Sequence, residues 1–405
     1  MNFVKLILLL MLCLFYTACS SYSPVQKDIS AMRETQMHMP NVKVGAERFE
    51  AYLPLLEDKS VAVIANSTSV IGDTHLVDVL LKHNIRVQKI FAPEHGFRGQ
   101  ADAGQRVETE QDATTGLPIL SLYGSQKKPS SALLSDVDVM VFDIQDVGVR
   151  FYTYLSTLHY VMESCAENDV PLVLLDRPNP NGFYIDGPVL KPEYSSFIGL
   201  HPVPLVYGMT IGEYAKMING EGWMKDAVHC DLTVVTLEGY SHDVKYALPV
   251  KPSPNLPNMT SIYLYPSLAL FEGTVVSIGR GTEFPFQVIG HPQNEQGHFA
   301  FTPRPVQGAM RPKLDGQICR GIDLRDTGEA RATAQLTLDW IIEFYKALPD
   351  KDSFFLANNF FNKLAGNDTL MAQIKNGMTS AEIKETWQAD LEEFRTVREK
   401  YLLYK

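Results

Sequence analysis

The stretch VDVMVFDIQDVGVRFYTYLSTLHYVMESCAENDVPLVLL, residues 137–175, carries two apolar runs of strand length, Val137 to Ile144 and Pro171 to Leu175, on either side of a helical pattern. Phe151, Leu155, Leu158, Met162 and Cys165 recur at alternating intervals of four and three, which puts them on one buried helix face. Continuous apolar strands that alternate with helices predict a parallel sheet covered on both faces. The rhythm extends outward from this unit. Upstream, strands are expected at Val61–Ala65, Val87–Phe91 and Pro118–Leu122, with a helix over Thr74–His83 built on Leu76, Val79 and Leu80. Downstream, Thr210-x-x-Glu213 is a capping box that opens a further helix, so these two residues read as structural. The fold class that follows is α/β, with a Rossmann-like, mostly parallel sheet.

At 405 residues the chain is longer than the roughly 250–300 residues at which single cores stop growing, so two domains are expected. Pro249 to Pro257 holds four prolines in nine residues and marks the boundary. The reading is a Rossmann-like catalytic domain over 45–256 and a smaller α+β domain over 257–405 that closes one side of a cleft. The second contains a glycine-rich stretch, Glu272 to Gly290, and two helices, Ala334–Ala347 and Ser380–Tyr401, the latter opened by the capping box Thr379-x-x-Glu382.

Residues 1–19 read as a targeting signal. Lys5 precedes an apolar run from Leu6 to Phe15 that ends in Thr17-Ala18-Cys19, which resembles a bacterial lipobox. That resemblance implies cleavage before Cys19, lipid on Cys19, a tether over 20–44, and a lipid-anchored protein of the cell envelope facing the periplasm. Of five cysteines, Cys13 leaves with the signal, and Cys165, Cys230 and Cys319 are too widely spaced for a disulfide framework or zinc site. They are expected to be buried thiols. The formal charge of −11 is spread without a basic stripe, which argues against a nucleic-acid partner.

In parallel sheets the working residues lie beyond the carboxyl ends of the strands. Here those ends lead into Asn66-Ser67-Thr68-Ser69, Pro93-Glu94-His95-Gly96, Tyr123-Gly124, Asp143-Ile144-Gln145-Asp146 and Asp176-Arg177-Pro178-Asn179. In Phe91-Ala92-Pro93-Glu94-His95-Gly96-Phe97-Arg98-Gly99 a strand runs into a charged, glycine-flanked turn, the strongest candidate for an active-site loop. No G-x-S-x-G, Walker loop, H-E-x-x-H or G-x-G-x-x-G occurs. Acids, asparagines, arginines and aromatics at loop positions suit a polyhydroxylated substrate instead. Glycoside cleavage needs an acid for the leaving oxygen and a second group at the oxocarbenium-like centre. Glu94 is the candidate acid, with Asp143, Asp146 and Asp176 available for the second role. Helix capping or pairing with Arg150 or Arg177 is the structural alternative for these three. Arg280, between Gly279 and Gly281, is expected to reach outward to an anion.

Taken together these segments resemble the NamZ-type exo-β-N-acetylmuramidases, a peptidoglycan glycoside hydrolase family first described as a domain of unknown function. The resemblance runs from about Gly45 to the C-terminus. It rests on Ala65-Asn66-Ser67-Thr68, the Glu94 turn, Thr115-Gly116-Leu117-Pro118, the run from Asp143 to Tyr154, Asp176 to Pro180, Ser253-Pro254-Asn255-Leu256-Pro257, and Gly279-Arg280-Gly281-Thr282. It implies release of N-acetylmuramic acid from the non-reducing ends of peptidoglycan fragments such as MurNAc-GlcNAc and muropeptides, without a cofactor or metal, and Glu94 as catalytic acid. Asp143 and Asp146 are the further catalytic candidates. The substrate-binding set is Asn66, His95, Arg98, Arg150, Tyr152, Asp176, Arg177, Asn179, Arg280 and Thr282. One position departs from the pattern: Tyr207 stands before Gly208-Met209-Thr210 where histidine is expected. Two other readings remain open at this point. One is a metal-dependent esterase or phosphoesterase built on His95, Asp143, Asp146 and His291; the other is a lipoprotein that binds cell-wall glycan without cleaving it.

Overall fold

The structure is a computed structural model and describes residues 42–97, 110–327 and 336–404. A short helix α1 (Phe49–Leu56) leads to strand β1 (Ser60–Ala65), the small hairpin β2 (Val70–Ile71) and β3 (Thr74–His75), helix α2 (Leu76–Lys82) and strand β4 (Arg86–Ala92). Then come β5 (Glu110–Gln111), β6 (Pro118–Ser121), α3 (Ser131–Leu134), β7 (Val139–Asp143), α4 (Tyr154–Glu167), β8 (Leu172–Leu175), α5 (Ile211–Gly220) and β9 (Leu232–Val235). The sheet order is β5-β6-β4-β1-β7-β8-β9, parallel throughout except for the antiparallel edge pair β5–β6. Taken in chain order, the six parallel strands run 3-2-1-4-5-6. That is the Rossmann arrangement, with the strand order reversing between β1 and β7.

Alternate strand residues serve opposite faces, as the pleat requires. Ala62, Ile64, Met140, Phe142, Leu172 and Leu174 join the apolar cluster that includes Leu155, Leu158 and Met162 of α4 and Ile211 and Ile218 of α5. Val61, Val63, Val139, Val141, Val173 and Leu175 join the other, with Tyr52 and Leu56 of α1 and Leu76 and Leu80 of α2. Each fully buried Leu, Ile or Phe contributes about 1.5–3 kcal/mol relative to exposure, so neither face tolerates polarity.

Beyond β9 the chain forms α6 (Met259–Leu268) and a three-stranded antiparallel sheet of order β10-β12-β11, from β10 (Val288–His291), β11 (Phe299–Phe301) and β12 (Cys319–Asp323). It ends in α7 (Asp339–Ala347), α8 (Phe360–Ala365), α9 (Thr369–Lys375), α10 (Ser380–Glu385) and α11 (Gln388–Glu399). The larger apolar cluster runs on from the main sheet into these helices through Phe271, Phe344, Phe361, Ile383 and Phe394. Cys165, Cys230 and Cys319 are free and buried.

Expectations shift at helix ends, and the helix expected from Ala334 begins at Asp339. The helix expected from Thr74 begins at Leu76, because Thr74 and His75 pair with β2, and the His75 ring then accepts from Val77 N at 3.2 Å as the cap. The helix expected over Ser380–Tyr401 breaks after Glu385, where Trp387 turns into the core at 3% exposure before α11 begins. Helix α4 starts at Tyr154, so Phe151 of the apolar stripe lies in the turn before it and faces the site described next.

Candidate active site

The carboxyl end of β4 is held by Leu122, whose N–H bonds the Ala92 carbonyl at 2.8 Å. Pro93 and Gly96 close the following turn through a 3.0 Å bond from Gly96 N to Pro93 O. His95 adopts φ +72° and Gly96 φ +75°, so a histidine sits in the left-handed region that ordinarily favours glycine. Phe97 then dives into the core against the His75 ring, 4.6 Å away edge to face. Between these anchors the half-buried Glu94 opens into a cleft of about 440 Å³.

Four segments line that cleft. Glu94 and His95 come from the β4 turn, and Phe151 to Tyr154 from the turn before α4. Ser253, Asn255 and Leu256 come from the proline-rich boundary, and Tyr265, Arg280 and Phe286 from the region beyond it. The Thr153 hydroxyl donates to Glu94 Oε2 at 2.8 Å. Tyr152 OH donates to the Pro252 carbonyl at 2.8 Å, and its ring meets Tyr154 and Tyr265 edge to face. Burial and the nearby Glu94 charge push the Tyr123 and Tyr154 phenols up, so both stay protonated as donors.

Arg280 is not the outward arm expected of it. Gly279 and Gly281 take φ +78° and +83°, and a Cβ on Gly281 would meet Pro312 at 2.5 Å, so the glycines serve close packing rather than openness. The guanidinium turns inward, pairs with Glu272 Oε1 at 3.0 Å and lies 5.0 Å from the Phe286 ring centre. Burial acts to lower its pKa, but Glu272 outweighs this and holds it raised. Its Nε is buried with no hydrogen-bond partner, and the residue lines the cleft.

Of the residues expected at the site, Glu94, His95, Tyr152 and Arg280 meet in this cleft. Arg98 and Cys19 lie outside the described residues. The others do not line the cleft, for reasons visible in their partners. Asp143 accepts two bonds from Arg177, at 2.5 and 2.8 Å, and both side chains are buried. Asp176 accepts from Arg177 N, Gly212 N, Thr210 Oγ1 and Tyr404 OH, all within 3.0 Å. Arg150 gives its guanidinium to the carbonyls of Pro188, Val203, Leu364 and Ala365, and burial lowers its pKa to about 9, leaving it charged at neutral pH.

Asn179 packs its amide where a Cβ of Gly148 would lie and donates to Met209 O at 2.7 Å. Asn66 Oδ1 caps Thr68 at 2.9 Å, and Thr282 closes its own turn onto Gly279 O at 2.7 Å. Asp146 is buried behind the cleft wall and accepts from Gly148 N at 2.6 Å and from the Tyr207 hydroxyl. Tyr207, the residue that departs from the expected pattern, is itself fully buried and does not line the cleft. The esterase constellation fails to assemble, since Asp143 and Asp146 are engaged elsewhere and His291 accepts from Gln293 N at 3.2 Å. Among the described residues no three His, Cys, Asp or Glu side chains converge as metal ligands.

Thr153 and Tyr154 lie inside a stretch already singled out, but nothing local marks Thr153 as the partner of Glu94. Tyr265 sits mid-helix and Phe286 in a turn, and only the tertiary fold brings them to the cleft.

Residues 61–260 match the N-terminal and 263–404 the C-terminal family model of the exo-β-N-acetylmuramidase NamZ. The chain is 38% identical over 406 residues to the peptidoglycan β-N-acetylmuramidase NamZ of Bacillus subtilis, covering 95% of each. It is similar to two crystal structures of DUF1343 family proteins from Bacteroides fragilis. One is 46% identical with a TM-score of 0.84 and the other 27% with 0.74, each match covering 90% of this chain and 99% of that one. With two consecutive family segments matched and 38% identity held across nearly the whole of both chains, the protein belongs to the NamZ exo-β-N-acetylmuramidase family.

Proposed function

We propose that this chain is an exo-acting glycoside hydrolase that releases N-acetylmuramic acid from the non-reducing ends of peptidoglycan fragments, with Glu94 as the acid that protonates the departing oxygen. The observation that carries the reading is Glu94 at a strand-end turn, oriented by Thr153 in a cleft walled by Phe151, Tyr265 and Phe286 with Arg280 in the same wall. Aromatic faces pack on sugar rings, and a positioned carboxyl supplies the proton that the leaving group needs. N-acetylmuramic acid carries a lactyl carboxylate. Arg280, with Nε unpartnered, is the cation that recognises it, and its pairing with Glu272 sets its orientation.

Among the described residues Glu94 is the only acid that lines the cleft. Asp143, Asp146 and Asp176 are each engaged away from it. We assign the second role to the 2-acetamido oxygen of the substrate, which attacks the anomeric carbon from within and gives net retention. NMR of the first-formed product anomer checks this: β-N-acetylmuramic acid is expected, and the α anomer would require a water-activating base.

The deciding experiment uses a chromogenic β-N-acetylmuramide beside the matching β-N-acetylglucosaminide. Wild type should release chromophore from the muramide alone, and Glu94→Gln should lose at least about 100-fold in kcat while still binding muropeptides. Arg280→Ala should weaken the muramide selectively. Equal loss on both sugars would remove Arg280 from lactyl recognition, and muropeptide binding by the wild type without turnover would favour a glycan-binding protein. We propose further that residues 1–19 are a lipoprotein signal and that Cys19 carries the lipid anchoring the protein in the cell envelope. Mass spectrometry of the mature N-terminal peptide, with Cys19→Ala as control, tests this.

A further inference from the structure

The segment from Gln145 to Thr153 is fastened at nearly every residue. Gln145 Nε2 donates to Asp146 O and Pro178 O, both at 2.7 Å, and Asn181 Nδ2 donates to Val147 O at 2.9 Å. Gly148 takes φ +79° with its bare Cα face against the Asn179 amide. Val149 bridges Val206, and Arg150 N donates to Leu205 O at 2.8 Å. At its far end this segment delivers Phe151 and Tyr152 to the cleft and the Thr153 hydroxyl to Glu94.

One pair of side chains ties the near end of the segment to the stretch of chain it leans on, around Val206. Asp146 Oδ2 takes the Gly148 N–H and the Tyr207 hydroxyl together, and Tyr207 directly follows the residue that bridges Val149. Both side chains are buried, and Asp146 Oδ1 has no hydrogen-bond partner. Burial pushes the Asp146 carboxyl up to about 6, so above that pH the Tyr207 hydroxyl holds a carboxylate in the interior. A buried carboxylate with a single well-made set of donors is unforgiving of their loss.

We propose that Asp146 and Tyr207 are a positioning pair for the reaction: they set the Gly148–Thr153 turn so that Thr153 meets Glu94 and Phe151 meets the sugar. The inference rests on the glycosidase reading of the same cleft. It assigns neither residue contact with the substrate, and it gives a function to Tyr207, which is shielded from the cleft. A displacement on the order of 1 Å of a group that orients the acid lowers turnover by up to about 100-fold, whereas binding of a sugar held by several walls changes little.

The test compares Tyr207→Phe, Thr153→Val and the double variant in the full chain. Tyr207→Phe keeps the ring that packs 5.0 Å from Tyr214 and removes only the hydroxyl. Expected is a 10- to 100-fold fall in kcat on the muramide with KM within about threefold. The double variant should lose little more than the worse single one, because both act through the Thr153 contact. Thermal unfolding of Tyr207→Phe separates a folding defect from this, and Asp146→Asn supplies a second variant if Tyr207→Phe is poorly folded. Full kcat in a folded Tyr207→Phe, or losses that simply multiply in the double variant, would overturn the positioning role. A wild type without turnover would instead overturn the glycosidase reading.

Discussion

At the residue scale, the ion pair of Asp143 and Arg177 shows how a strand-end acid is held by a distant partner. Both side chains are almost wholly shielded from solvent, so each charge depends on the other. Removing one partner of a buried pair leaves an uncompensated charge and typically costs about 3–5 kcal/mol, while replacing both with apolar residues is often nearly neutral. Arg177→Met should therefore destabilise by about that amount in denaturant unfolding, and Asp143→Leu with Arg177→Met should recover most of it and keep muramidase turnover. A double variant that folds but does not turn over would return Asp143 to the reaction. Glu94 was legible in the sequence because its cues are local: an apolar strand before it, Pro93 and Gly96 around it. The other acids occupy the same kind of position, and what separates them from Glu94 is a distant partner. Arg177 lies 34 residues from Asp143, Tyr207 61 from Asp146, and Tyr404 228 from Asp176. No local pattern of residue types encodes such pairings, so residue type and strand-end position alone overstate the number of carboxylates that line the cleft.

At the element scale, the start of α5 joins a local rule to a long-range one. Thr210 Oγ1 accepts from Glu213 N at 3.2 Å and donates to Asp176 Oδ2 at 2.7 Å, while Glu213 Oε2 accepts from Thr210 N at 2.9 Å. The capping box is readable in sequence; the bond to Asp176 is not. Loss of an N-cap hydroxyl costs about 0.5–2 kcal/mol, and here a buried carboxyl loses a donor as well. Thr210→Ala should therefore lie at or above the top of that range in denaturant unfolding, while Thr210→Ser should stay within about 0.5 kcal/mol of wild type. Equal losses for Ser and Ala would assign the effect to the methyl group. The parallel strands were readable as elements because burial on both faces leaves continuous apolar runs, and the main departures came at helix ends. Phe151 keeps the apolar period of α4 although it belongs to the turn before the helix, since an aromatic lining a cleft and one lining a core look alike in sequence. Helices α8 and α9 have six and seven residues, too few to show a period, and left-handed Asn359 and Gly366 delimit α8.

At the scale of the whole molecule, the last described residues are fastened back onto the sheet through two buried carboxyls, Glu213 and Asp176. Leu403 N and Tyr404 N bond Glu213 Oε1 at 2.7 and 3.3 Å, and Tyr404 OH reaches Asp176 Oδ2 at 2.6 Å beyond the end of β8. Burial pushes Asp176 up to about 7 from 3.8, against the pull of the Tyr404 and Thr210 hydroxyls toward the ionised form. The folded chain therefore holds a proton between about pH 4 and 7 that the unfolded chain has already released. An acid whose folded pKa is raised contributes its stability fully below the unfolded value, and that contribution is lost as pH rises through the folded one. His159 and His201 act in the opposite sense, because burial lowers both and their contribution is lost on acidification. The raw pH profile of stability thus mixes the two, but the difference between wild type and Asp176→Asn isolates the acid. Asparagine does not titrate, so its loss of hydrogen bonding enters as a constant offset. The advantage of wild type over Asp176→Asn in unfolding free energy should be greatest at about pH 4 and below and shrink by roughly 1–4 kcal/mol by pH 8, with little change above that. A difference that stays constant, or grows toward alkaline pH, would mean that the four donors dominate and that Asp176 is ionised throughout, closing the chain end as a carboxylate rather than as an acid.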